Sequence, residues 1–439
     1  MRRRSRSHTR FATAAIETLP GLTSIPGRLR AETMDNGLTV CLVENRQAPL
    51  VTSAVFYRVG TRDEPADRGG VAHFLEHMMF KGSAHYGPGE IDRRTQALGG
   101  SNNAFTSHDI TAYYFNFASD RWTEALTIEA DRMTTLRLDP AEVSSERQVI
   151  LEEIAMYDSE PWDALEMEVM KRLFGSHAYG KPVLGTKEEL LAMDERDLRA
   201  FHQRFYRPDN AVLVVAGDVG DDAFGDVERI LGSVPPGAER RRGFSPPAPG
   251  DLPGELARIE RRKGEVARIL IALPGPPATH PDHPVLKLAL TLLGGGRISR
   301  LPRVLVEEEQ ICVWVSADLS ESLDASQIIV AAEVVPGVEP ARVEARILEL
   351  LAELESNPPS AEELERARQI ATADWVFGHE KVHQQALSVG IAMTLFDLEH
   401  LDRHLAGTLA TGPEQVLDVA ARYLRPANGG VLGWSLPKS

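Results

Sequence analysis

The chain has 439 residues, more than one hydrophobic core ordinarily organises, so two units of roughly 200 residues are expected. Hydrophobic residues make up 43% and charged residues 26%, the balance of an ordinary soluble protein. A formal charge of −16 and a pI near 5.4 argue against nucleic acid or an anionic membrane as the main partner, because nothing overall would neutralise phosphates; cationic ligands are tolerated.

The chain opens with MRRRSRSHTRFATAAIETLPGL, basic like a targeting segment, but its apolar run FATAAI is short and stops at Glu17. Residues 1–29 therefore read as a flexible leader. No stretch approaches 18 uninterrupted apolar residues, so no membrane span is expected, and the location expected is cytoplasmic. LTVCLVEN (38–45), VTSAVFYRVG (51–60) and HDITAYYFNFA (108–118) read as strands, and residues 120–136 and 141–161 as helices. Strands and helices that do not alternate strictly favour an α+β fold, a largely antiparallel sheet flanked by helices. Cys41 and Cys312 lie far apart and outside any CxxC spacing, which reads as buried free thiols.

Residues 236–254, PGAERRRGFSPPAPGDLPG, concentrate proline, glycine and arginine without apolar periodicity. They are expected to link a first unit, 30–235, to a second, 255–439. Two phrases rhyme across this linker: FYRPDNAVLVVAGDV (205–219) and YLRPANGGVLGWSLP (423–437), with Pro208 and Pro426 218 positions apart. The offset is close to half the chain, so two copies of one α+β fold are expected. In the second half, residues 360–382 predict one long helix.

Chemistry concentrates in HFLEH. On a helix, His73 and His77 lie four apart on one face and can aim two imidazoles at one ion, with Glu76 beside them. Zinc accepts imidazole nitrogen, and HxxEH is the order-reversed counterpart of HExxH. The glutamate is then free to take a proton from a water that the ion acidifies to a pKa of about 7. A five-residue pattern also arises by chance, and an ordinary helix stays open without a third ligand. The best candidate segment is ERQVILEEI (146–154): Glu146 and Glu153 share a helix face, with Val149 and Ile150 expected to pack inward between them, while Glu152 reads as solvated.

GGVAHFLEHMMFKGS, EIDRRTQALGGSNNAFTSHDITAYYF, ERQVILEEI, HAYGKPVLGT and FYRPDNAVLVVAGDV, in this order, resemble the inverted-zincin peptidases of the pitrilysin/insulinase family. The resemblance is to the subfamily around the mitochondrial processing peptidase β subunit and covers roughly residues 30–439. It implies a clamshell of two related domains and one zinc per chain. It makes His73, His77 and Glu153 the ligands, since Glu153 stands 76 positions beyond His77 as in that family. It makes Glu76 the general base and Glu146 a carboxylate orienting a ligand. Asn103, Ala104, Phe105 and Thr106 become the edge strand that receives peptide substrate by β-augmentation.

The resemblance breaks in the second half, where GGGRISRLPRVLVEEEQICVWVS (294–316) places Val306 and Val313 where relatives carry a substrate-binding arginine and tyrosine. Arg300 survives but reads as part of a structural turn. The implied function is a zinc endopeptidase subunit for unstructured peptides, completed as a heterodimer by a homologous zinc-free subunit that supplies the missing pair. The rival is a non-catalytic structural or peptide-binding member of the family.

Overall fold

The computed structural model describes residues 28–237 and 256–438. All but the last two residues of the expected leader, and all but the first two of the expected linker, lie outside the described residues.

Two sheets form the frame. The first contains β1 (Arg28–Thr33), β2 (Thr39–Glu44), β3 (Leu50–Tyr57), β4 (Ser101–Thr106), β5 (Thr111–Ala118) and β6 (Ala211–Gly217), in the order β1-β2-β6-β3-β5-β4. The second contains β7 (Leu256–Arg262), β8 (Arg268–Gly275), β9 (Cys312–Leu319), β10 (Ser326–Val334) and β11 (Gly430–Leu436), in the order β7-β11-β8-β10-β9. Without β1, the two orders are the same when strands are counted along each half. Even the one parallel pair corresponds: β2 with β6, Thr39 opposite Val212, and β7 with β11, Leu256 opposite Gly430. All other pairings are antiparallel. The rhyming phrases fall on one repeated unit, a helix (Glu195–Phe205 or Pro413–Tyr423), a 3₁₀ turn at the proline, and the strand β6 or β11. The fold is thus the α+β duplication that the sequence predicts.

The central strands are covered on both faces, which accounts for the continuous apolar run VLVVA in β6. Leu213 and Val215 enter the core of the first half, and Val212 and Val214 pack beneath the helix Val382–Leu395 from the second half. The loan is returned by the helix Pro161–Phe174, whose Leu165 and Val169 cover Ala272 and Val431 of the second sheet. The fit leaves no room for a side chain at Gly390, where an added Cβ would sit 1.9 Å from the Phe56 ring.

This exchange corrects one expectation. The helix expected over 360–382 starts at Ser360, whose hydroxyl and the Glu363 carboxylate cap it reciprocally, but it ends at Gly378. The break at His379–Lys381 lets the next helix turn onto the first sheet. Cys41 and Cys312 are buried and free, and burial pushes both thiols up to about 12. No helix among the described residues is long and apolar enough to cross a membrane.

Candidate active site

The HFLEH motif lies on the helix Val71–Met78, whose Phe74, Leu75 and Met78 are fully buried. Two acidic side chains from outside the helix accept from amides at its start: Glu64 from Gly70 and Ala72 N–H at 3.0 Å, and Glu189 from Gly69 N–H, just before the helix, at 3.2 Å. Gly70 permits this start because its φ is +86° and a Cβ there would meet the Leu184 carbonyl at 2.4 Å. The helix thus begins where a turn packs against it, two residues before the first histidine.

Facing it is the helix Pro140–Ser159, begun by Asp139 as N-cap and Pro140 in its first turn. Glu146 is buried, Ile150 is fully buried, and Glu152 is exposed. Val149 departs from the expectation: it is 46% exposed, because the inward face of this helix runs through Glu146, Ile150 and Glu153 and leaves Val149 on its flank.

The two helices bring His73, His77 and Glu153 together, with a ligand atom of each within 4.8 Å of the others. Glu153 Oε2 lies 3.9 Å from His73 Nε2 and 3.7 Å from His77 Nε2. His77 Nδ1 is 2.8 Å from Glu146 Oε1, and Lys81 Nζ is 2.6 Å from Glu146 Oε2. Burial, reinforced by His77, pulls the His73 imidazole down to about 3, so it is neutral as a ligand must be. Burial also opposes charge on His77, but Glu146, Glu76 and Glu153 outweigh it and raise its pKa. Burial acts against ionisation of Glu146, yet the His77 and Lys81 contacts hold its carboxyl below the usual range. Two imidazoles and a carboxylate, with one ring anchored through its far nitrogen, are a donor set that fits zinc.

Glu76, one residue before His77, accepts a 2.5 Å hydrogen bond at Oε2 from the Thr106 hydroxyl. Burial raises its pKa, and Thr106 and His77 oppose the shift. The cluster opens into a cavity of about 850 Å³ lined by His73, Glu76, His77 and Glu153, by Ala104, Phe105 and Thr106 of β4, and by the segment Tyr179–Glu188. Among the described residues, β4 is one of the two edge strands of its sheet and pairs on one side only. Asn103 is exposed on β4 and does not line the cavity. Asp158, Asp163, Glu166 and Glu188 make the lining acidic against Lys181 and Lys187.

Neither Val306 nor Val313 reaches this cavity, whose lining comes wholly from the first half. Val306 packs partly buried against the second core, and Val313 is 49% exposed on β9. Arg300 is buried, donating to Glu363 at 3.0 Å and to the Asn357 carbonyl at 3.2 Å. Lys81 escaped the sequence reading although it stands four positions after His77, a spacing that could have flagged it. His108 also lines the cavity, and nothing in its spacing distinguished it.

Fold and cluster together define a class: a duplicated α+β protein whose candidate metal-ligating set lies, among the described residues, in its first half. The insulinase (peptidase family M16) model matches residues 39–187, and the peptidase M16 inactive domain model matches residues 192–371. An uncharacterised zinc protease of Mycobacterium leprae is 34% identical over 322 residues, 72% of this chain and 69% of that protein. The mitochondrial-processing peptidase subunit β of Blastocladiella emersonii is 31% identical over 286 residues, 65% of this chain and 60% of that protein. A protease structure from Helicobacter pylori shares the fold with a TM-score of 0.89 at 24% identity, covering 94% of this chain and 100% of that one. The chain belongs to the insulinase (M16) family of metallopeptidases.

Proposed function

We propose that this chain is the zinc-bearing subunit of an endopeptidase that cuts unstructured peptides. His73, His77 and Glu153 hold one zinc, and Glu76 is the general base. The observation that carries this reading is the convergence of those four side chains in one cavity beside the edge strand β4. Zinc bound there supplies a Lewis acid that acidifies water and polarises a peptide carbonyl.

The protein's own groups do the rest. The β4 edge offers backbone donors and acceptors to an extended peptide, so binding reads shape more than sequence. Thr106 holds Glu76 Oε2 in place, and Glu76 takes a proton from the attacking water and delivers it to the leaving amine as the C–N bond breaks. Glu146 and Lys81 fix the His77 ring.

The oxyanion side is incomplete, because Val306 and Val313 carry no donor and stand away from the cavity. A homologous zinc-free subunit supplying arginine and tyrosine completes the site. A non-catalytic role is disfavoured by the partly buried charged cluster, which is costly to keep without a use. The test is peptide cleavage by the purified chain against its one-to-one mixture with such a homologue. A rise of at least about 10²-fold is expected, the usual worth of an oxyanion donor. Full activity in the isolated chain rejects the two-subunit part of the reading.

A further inference from the structure

The turn that joins β4 to β5 carries His108 into the lining of the cavity that also holds Thr106 and Glu76. This turn is firmly held. Thr61 and Arg62 N–H donate to the Ser107 and His108 carbonyls at 3.1 and 3.0 Å. Next to it, the Asp109 carboxylate accepts from Arg62 at 3.0 Å, from the Tyr179 hydroxyl at 2.8 Å and from Leu323 N–H, across the two halves, at 3.2 Å. The His108 ring lies against Tyr179, with centroids 5.1 Å apart.

The two ring nitrogens of His108 have different surroundings. Nδ1 is 2.6 Å from Thr61 Oγ1. Thr61 is only 2% exposed, and His108 Nδ1 is the acceptor its hydroxyl meets among the described residues, so Thr61 donates and Nδ1 accepts. The ring proton is then on Nε2. That nitrogen has no hydrogen-bond partner among the described residues and is not among the fully buried polar atoms left without one, and His108 is itself part of the cavity lining. Burial pulls the imidazole down to about 4, with Asp109 opposing, so near pH 7 it is a neutral donor.

We propose that His108 donates its Nε2–H to a backbone carbonyl of the bound peptide, just past the point where pairing with β4 ends. β4 stops at Thr106, so peptide groups running beyond it meet no further strand. A rigid neutral donor placed there holds the peptide in register over Glu76 without adding charge, and it supplies from this chain part of what Val306 and Val313 do not. The inference rests on the peptidase reading for its role in turnover, but peptide binding tests it separately.

The experiment uses the full chain with three readouts. Ring ¹⁵N shifts of the zinc-free protein, assigned to His108 by their loss in His108→Gln, should show the Nε2-protonated tautomer, and Thr61→Val should release this preference. Affinity for a dye-labelled unstructured peptide should fall about tenfold in His108→Phe and largely return in His108→Gln, whose amide restores a donor. kcat/KM of zinc-loaded protein should follow the same order at unchanged zinc content. An Nδ1-protonated ring in the wild type overturns the proposal without any substitution that might unfold the turn. Equal peptide affinity in wild type and His108→Phe also overturns it. If the wild type binds peptide through His108 but cleaves none, the His108 contact stands and the peptidase reading fails instead.

Discussion

His77 Nδ1 and Glu146 Oε1 lie 2.8 Å apart, so the ring that presents Nε2 to the candidate metal site is anchored from behind by a carboxylate on the facing helix. Lys81 holds the other oxygen of that carboxylate at 2.6 Å. Removing Glu146 leaves His73, His77 and Glu153 in the chain but frees the His77 ring to rotate. Glu146→Ala should therefore weaken zinc binding by about 10–100-fold, and Lys81→Met by less. Competition against a chelator of known affinity measures both. Unchanged affinity in Glu146→Ala would remove Glu146 from the site.

The acidic lining gives a preference among peptides. Asp158, Asp163, Glu166 and Glu188 outnumber Lys181 and Lys187, and burial together with Asp163 raises the pKa of Glu166. A peptide carrying lysine should be cleaved at higher kcat/KM than its methionine counterpart, and Glu166→Gln should reduce that advantage by roughly tenfold. The advantage should also shrink as salt is added. Equal rates for the two peptides would show that the cavity charge does not reach the substrate.

The exchanged helices make one position unusually sensitive. Alanine for glycine inside a helix ordinarily stabilises by about 1 kcal/mol. At Gly390 the sign should reverse, since the new methyl would fall 1.9 Å from the Phe56 ring. Gly390→Ala should destabilise by about 1–3 kcal/mol in chemical denaturation. A stabilised variant would mean that the helix Val382–Leu395 sits less closely on β3 than described.

Arg300 belongs to the second half's architecture, and its partner provides a pH signature. Hydrogen bonds from Arg300, then from the Ser360 cap, outweigh burial and pull the Glu363 carboxyl from 4.5 to about 2. A folded-state pKa below the unfolded one contributes stability that is present above about pH 4.5 and is lost as pH falls toward 2. Glu363→Gln should thus be less stable than wild type by about 1 kcal/mol at pH 7, and the gap should narrow below about pH 4.5. Denaturant titrations at pH 7, 5, 4 and 3 measure it, roughly bracketing the two pKa values. A gap that widens in acid contradicts the assignment.

What could be read from the sequence was local or periodic. The repeated Arg-Pro-x-Asn phrases disclosed the duplication because one helix–turn–strand unit keeps its turn chemistry in both copies. His73 and His77 were legible because helical spacing puts them on one face, and Glu153 became the choice through the resemblance. Val149 was misread because apolar character does not say which flank of a helix faces a neighbour. The break at His379–Lys381 was missed for another reason: it serves packing on β3 and β6, strands more than 160 residues earlier in the chain. His108 lacked any signal, since its meaning comes from Thr61 and Tyr179, brought to it only by the fold.

The most direct measurement determines zinc content and cleavage of an unstructured peptide on the same samples of wild type, Glu76→Gln and Glu153→Gln. One zinc per chain with cleavage is expected in the wild type. Undiminished zinc with kcat lower by roughly 10²-fold or more is expected in Glu76→Gln, and a large loss of both zinc and cleavage in Glu153→Gln. Wild-type protein that takes up no zinc, Glu153→Gln that keeps its full complement, or Glu76→Gln that cleaves as fast as wild type would overturn the assignment of ligands and base.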